Sequence, residues 1–188
     1  MVSLIFILNF KIEIESFFLF NFFRNIYKNQ QSIINLLYRQ NIYCTKLINH
    51  AYINFFLQKM RNPKMKEMLL NERLSAQEIE GMVNLFLENV RDGTWKNQGW
   101  PEIWTDYAVS KLALNAYSRV LAKQYEDFGL SVNCFCPGFT QTSMTSGKGT
   151  HTADDAAEVG ARLALLPPGE LPTGRFYIGF NPGVISKL

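Results

Sequence analysis

From about residue 61 onward the chain predicts an α/β layered fold, on three observations. Apolar residues recur at helical spacing in several segments, capping signals mark where those helices begin, and short apolar runs closed by turns alternate with them. Ser75-Ala-Gln-Glu78 reads as a capping box, and Ile79, Met82, Val83, Phe86, Leu87 and Val90 follow it at helical spacing up to Asp92-Gly93. After the turn-rich "TWKNQGWP" comes a helix predicted from about Thr105 to Tyr125. Leu130 to Cys136, "LSVNCFC", is an apolar run closed by Pro137-Gly138, as a buried parallel strand would be. Thr152-Ala-Asp-Asp155 caps a further helix through about Leu166, and Arg175 to Phe180 reads as a last strand.

The first 60 residues are of another character. All 12 glycines and all 7 prolines of the 188-residue chain come after them, while Phe, Ile, Asn, Lys and Tyr supply 35 of the 60. Turns and tight loops draw on glycine and proline, so residues 1–60 read as an atypical apolar, Asn-rich segment foreign to the domain at 61–188. From Gln31 to Met60 a helix is permitted, with Ile48, Tyr52, Phe55 and Phe56 on one face. Residues 4–23 raise a membrane anchor as an alternative, but Lys11, Glu13 and Glu15 interrupt the run and leave fewer than the ~18 uncharged apolar residues a span needs. No basic n-region or small-residue cleavage site marks a signal peptide.

The net charge of +3 is local: 6 basic and 2 acidic residues precede position 61, and 13 basic and 14 acidic follow. That is too little and too scattered for a nucleic-acid partner. Cys44, Cys134 and Cys136 read as buried thiols of a cytoplasmic protein. His50 and His151 stand apart from any second ligand, so no metal site is expected.

Inside the long helix, "WTDYAVSKLALNAYSRVLAKQY", Tyr107 and Lys111 stand four residues apart and share a helical face. A free phenol, with a pKa near ~10, exchanges protons poorly at neutral pH. A neighbouring ammonium favours the phenolate, and bringing the phenol near neutrality takes about 4 kcal/mol of preferential stabilisation. A tyrosine tuned in this way is a general acid, able to protonate a carbonyl oxygen as hydride reaches its carbon. Taken alone, Y-x-x-x-K is a weak signal, and a tyrosine at a core edge with a lysine reaching to water is the commoner source of such a match. Its surroundings are more specific. The helix leads into a strand ending in "NCFCPGFTQT", and "RNPKMKEML", the Ser75-capped helix, "GWP" and "RLALLP" flank it in order. This series resembles the short-chain dehydrogenase/reductase family, in its carbonyl-reductase-like plant branch, from about Arg61 to the C-terminus.

The resemblance implies the C-terminal portion of a Rossmann-type doubly wound parallel sheet, truncated, behind a helical N-terminal segment foreign to the family. Residues 61–104 are then a helical insertion, and 105–188 the active-site helix, cofactor loop and last strands. It implies NADPH-dependent reduction of a small hydrophobic ketone or aldehyde by a monomer. In that scheme Tyr107 is the proton donor, Lys111 lowers its pKa and holds the nicotinamide ribose, and Pro137, Gly138, Thr140 and Thr142 form the loop passing the nicotinamide and its phosphates. Without the family context, Pro137-Gly138 is equally a strand-ending turn, and Ser110 only packs or caps locally. The family's T-G-x-x-x-G-x-G turn has no counterpart before Gly81, and "INFFLQKM" stands where its catalytic serine would lie. The chain is therefore expected to supply only the last two strands of the family's sheet and to show low activity or none. A non-catalytic remnant or interaction module stays open beside the reductase.

Overall fold

The computed structural model describes residues 6–8, 45–49, 53–128, 131–143, 145–165, 172–178 and 185–186. At its centre lies a five-stranded sheet of β1 (Phe6–Leu8), β2 (Thr45–Asn49), β3 (Ser131–Cys136), β4 (Phe176–Ile178) and β5 (Ile185–Ser186), in that spatial order. The first four strands run parallel, with Thr45 beside Ser131 and Cys134 beside Phe176, while β5 is antiparallel to β4.

Around the sheet lie α1 (Ile53–Lys59), α2 (Pro63–Leu70), α3 (Ala76–Arg91), α4 (Thr105–Gln124) and α5 (Ala153–Ala164). β3 shows why helices cover both faces. Side chains alternate along a strand, so Val132, Cys134 and Cys136 join the large core with α4, whereas Phe135 packs behind the sheet with Leu163 and Tyr177. Gly160 lets α5 approach there, since a Cβ at that position would meet the Phe135 ring at 3.2 Å.

The helix boundaries follow local chemistry. Asn62 accepts from the Met65 amide at 3.1 Å with Pro63 at the first helical position, which starts α2. Both predicted capping boxes form, Ser75 with Glu78 on α3 and Thr152 with Asp155 on α5. Ile79, Met82 and Phe86 of α3 are buried as their spacing predicts. The C-terminal carbonyls of α2 and the turn after it are closed from outside, with the Arg119 guanidinium donating to Leu69 O and the Lys123 ammonium to Glu72 O. The "GWP" turn docks on the start of α2. Arg61 and Asn62 amides donate to Gly99 O at 2.8 and 3.2 Å, and a Cβ on Gly99 would lie 2.7 Å from Asn62 N. Trp100 donates from Nε1 to Asn89 Oδ1 at 2.9 Å, tying that turn to α3 inside the core.

Two expectations about the N-terminal part are corrected. Ile48 belongs to strand β2 and not to a helical face, and the helix described in this stretch is Ile53–Lys59, with Phe56 buried. The sheet also gains β1 and β2 beside β3, where only the last strands were expected from this chain. The physical reason is that β3 has a hydrogen-bonding edge on each side, and β2 satisfies one of them. Tyr52, Cys44 and His50 lie outside the described residues, as does all of the apolar stretch 4–23 except Phe6–Leu8. Among the described residues no helix is long and apolar enough to cross a membrane, and no group of three or more residues could hold a metal ion.

Candidate active site

The long helix α4 is buried on nearly every side because small residues, Ala108, Ala113 and Ala116, let β3, α3 and α1 approach it. Its N-terminal turns carry Tyr107 and Lys111, which the structure brings together, with Lys111 Nζ 5.2 Å from the centroid of the Tyr107 ring. Tyr107 is half-buried, whereas Lys111 is only 7% exposed. Burial pushes the Lys111 ammonium below its ordinary pKa, with the Cys134 thiol acting in the opposite direction. That opposition is weak near neutral pH. Burial holds the Cys134 thiol up at about 12, so it is uncharged there. The same thiol donates to Ser118 Oγ at 2.9 Å, and Ser118 Oγ to Asn115 O at 2.7 Å, so a polar seam runs under α4 below the lysine. Neither ion pair among the described residues, Arg61–Glu102 or Arg162–Glu158, includes Lys111.

Two further aromatic residues frame Tyr107. Phe56 of α1, fully buried, meets its ring edge-on at 5.8 Å, and Trp104 does so at 6.4 Å. Phe56 and Trp104 also touch each other edge-on. Phe56 comes from "INFFLQKM", so the segment that reads as foreign in sequence packs directly on the tyrosine. Trp104 is the N-cap of α4 and adopts a left-handed conformation, φ 48° and ψ 51°. A non-glycine residue pays on the order of 1–2 kcal/mol for that conformation, yet the side chain remains 62% exposed. Ser110 donates to Tyr107 O at 2.7 Å, a local contact as its place in the helix suggests.

The second group of candidate residues follows the carboxyl end of β3. Pro137 is buried and Gly138 turns the chain with φ 76°. The Thr140 hydroxyl donates to Gly138 O at 3.3 Å, and the Thr142 amide to Thr145 Oγ1 at 3.0 Å. The loop closes on itself through a bridge between Thr140 and His151 and through Gly149, where a Cβ would fall 2.1 Å from Thr140 C. Thr142 is exposed at the loop surface. Sequence reasoning found Tyr107 and Lys111 by spacing, but it missed Trp104 and the contact of Phe56. Only the apolar face containing Phe55 and Phe56 hinted at the latter.

A family profile described as short chain dehydrogenase matches residues 97–156, which span α4, β3 and the loop. The chain is 40% identical over 106 residues to (+)-neomenthol dehydrogenase of Arabidopsis thaliana, covering 56% of this chain and 35% of that one. It is 32% identical over 123 residues to Carbonyl reductase [NADPH] 1 of Rattus norvegicus, covering 63% and 44%. The solved structure of salutaridine reductase from Papaver somniferum superposes with a TM-score of 0.65 at 31% identity, covering 74% of this chain and 46% of that one. The chain thus spans less than half the length of each of these relatives. Over the part it shares with them, it belongs to the short-chain dehydrogenase/reductase family, in the plant carbonyl-reductase-like branch.

Proposed function

We propose that the site on α4 reduces a small hydrophobic ketone or aldehyde to an alcohol with NADPH as cofactor. The observation that carries this reading is the buried Lys111 ammonium held 5.2 Å from the ring centre of Tyr107 with no ion pair of its own among the described residues. A desolvated cation beside a phenol favours the phenolate and so makes the phenol a better acid. Tyr107 donates its proton to the carbonyl oxygen of the substrate. The Lys111 ammonium stabilises the negative charge left on the phenolate oxygen and offers N–H donors to ribose hydroxyls. NADPH, when bound, supplies the hydride. Pro137, Gly138, Thr140 and Thr142 line its nicotinamide and phosphates through backbone groups and hydroxyls.

The residues present fit the nicotinamide-ribose end of such a cofactor, because no ion pair among the described residues engages the buried Lys111 ammonium. They do not fit its adenosine end, since no glycine precedes Gly81 and the tight phosphate-binding turn needs several. The reading therefore includes a weak grip on NADPH by these 188 residues, with turnover low. The same gap favours a second reading, a non-catalytic remnant or interaction module.

Absorbance of NADPH with menthone as substrate separates the two readings. Oxidation that falls at least ~100-fold in Tyr107→Phe supports the reductase. An absence of NADPH binding to the purified chain in calorimetry defeats it for this chain and leaves the remnant.

A further inference from the structure

We infer that Phe56, on the short helix α1, is a positioning residue for Tyr107, holding the phenol ring in register with Lys111. The inference rests on the reductase reading of Tyr107 and adds to it a residue from outside the helix that carries the proton donor. Tyr107 needs such support. It is half-buried in the first turn of α4, and that turn starts at Trp104 with no side-chain hydrogen bond from the cap. An aromatic side chain on a helix has two staggered χ1 wells open to it, and they carry the ring to different places. The 5.2 Å between Lys111 Nζ and the ring centre therefore lasts only while the ring keeps to one of them.

Two rings border Tyr107, and they differ in how firmly they hold it. Trp104 meets it at 6.4 Å but is 62% exposed, whereas Phe56 meets it edge-on at 5.8 Å and is fully buried. A close-packed ring cannot turn aside without opening a void, so Phe56 is the fixed support of the pair. Its backbone is fixed as well. Ile53 and Met60, on either side of it in the chain, are both buried, and the Met60 amide donates to Phe56 O at 3.0 Å. The next amide, of Arg61, donates to Gly99 O at 2.8 Å, which ties this end of α1 to the turn that holds Trp100. An edge-on aromatic pair also has a preferred geometry, which an aliphatic side chain in the same place would not impose. With no exposed surface of its own, Phe56 acts on the reaction through Tyr107 and not by touching substrate.

The coupling between Lys111 and Tyr107 reads this role without cofactor or substrate. The full 188-residue chain is labelled with m-fluorotyrosine, and the fluorine resonance of Tyr107 is identified by its loss in Tyr107→Phe. Near neutral pH, Lys111→Met is expected to displace that resonance in wild type and to displace it less than about a third as far in Phe56→Ala, the interaction of a double-mutant cycle. Ile53→Ala, at a buried position of the same helix, is expected to lower the melting temperature as well yet to keep the full displacement. If Phe56→Ala does not fold, Phe56→Leu carries the same expectation. A displacement equal in the two Phe56 backgrounds, absent from wild type, or lost equally in Ile53→Ala overturns the inference. With menthone and NADPH, Phe56→Leu is expected to lower kcat at least ~10-fold with KM within about threefold of wild type; unchanged kcat in an active chain overturns it too. Wild type that oxidises no NADPH but keeps the Phe56-dependent displacement defeats the reductase reading alone and leaves the positioning of Tyr107 standing.

Discussion

Lys111 keeps an ammonium group among apolar neighbours, and that placement links the candidate site to stability. Its folded pKa lies below the ordinary value because of burial, so the folded chain binds fewer protons than the unfolded chain in the window between the lowered value and ~10.4. The cost is fully present below the folded pKa and is relieved as pH rises through this window. Urea unfolding of wild type and Lys111→Met between pH 7 and 10 is expected to show the wild type gaining on the variant as pH rises; a constant difference would contradict the assignment. Cys134, held up at about 12 by burial, is expected to resist iodoacetamide at pH 8 until the protein is unfolded, which mass spectrometry of the alkylated chain would read directly. At this scale the sequence shows residue pairs that depend on periodicity alone. Tyr107 and Lys111 are visible because a helix forces i and i+4 together. The conformation of Trp104 is invisible, because left-handed positions are signalled by glycine or asparagine and this one has neither.

The elements bear out the local signals most closely where side chains satisfy backbone groups. Ser75→Ala removes one half of a reciprocal cap and is expected to lower stability by about 1 kcal/mol in chemical denaturation. Glycines separate by context. Gly81 sits in α3 with nothing within 4 Å of an added Cβ, so Gly81→Ala is expected to raise stability by about 0.5–1 kcal/mol. Gly149 lies against the backbone of Thr140 and Gln141, so Gly149→Ala is expected to cost more than about 1 kcal/mol and to open the 139–151 loop to limited proteolysis. The helices at 76–91 and 153–164 were legible because cap and apolar spacing agree, and β3 because a turn closes a short apolar run. The folding of the loop on itself was not, since Gly149 is constrained by a partner that only the tertiary fold brings near.

At the scale of the whole molecule, the sheet joins parts of the chain that differ in composition. β2 and α1 come from the Asn-rich segment, and they supply one edge of β3 and the buried Phe56. A chain begun at Met60 is expected to lose both and to aggregate through the bared edge, which light scattering at matched concentrations would detect; a monodisperse, folded product would refute that dependence. Strands β1 and β2 escaped sequence reading because nothing punctuates the first 60 residues, and a strand without bounding turns is hard to tell from a helix. Their pairing also dictates a timetable. β2 leaves the ribosome with β1 to pair with but with the edge of β3 still unsynthesised, because α1 through α4 all lie between β2 and β3. At ~5–20 residues per second that delay is on the order of ten seconds. For that interval the helices and the β1–β2 pair can form but the sheet cannot be completed, so the nascent chain is most open to chaperones, or to the wrong partner, before Ser131 emerges.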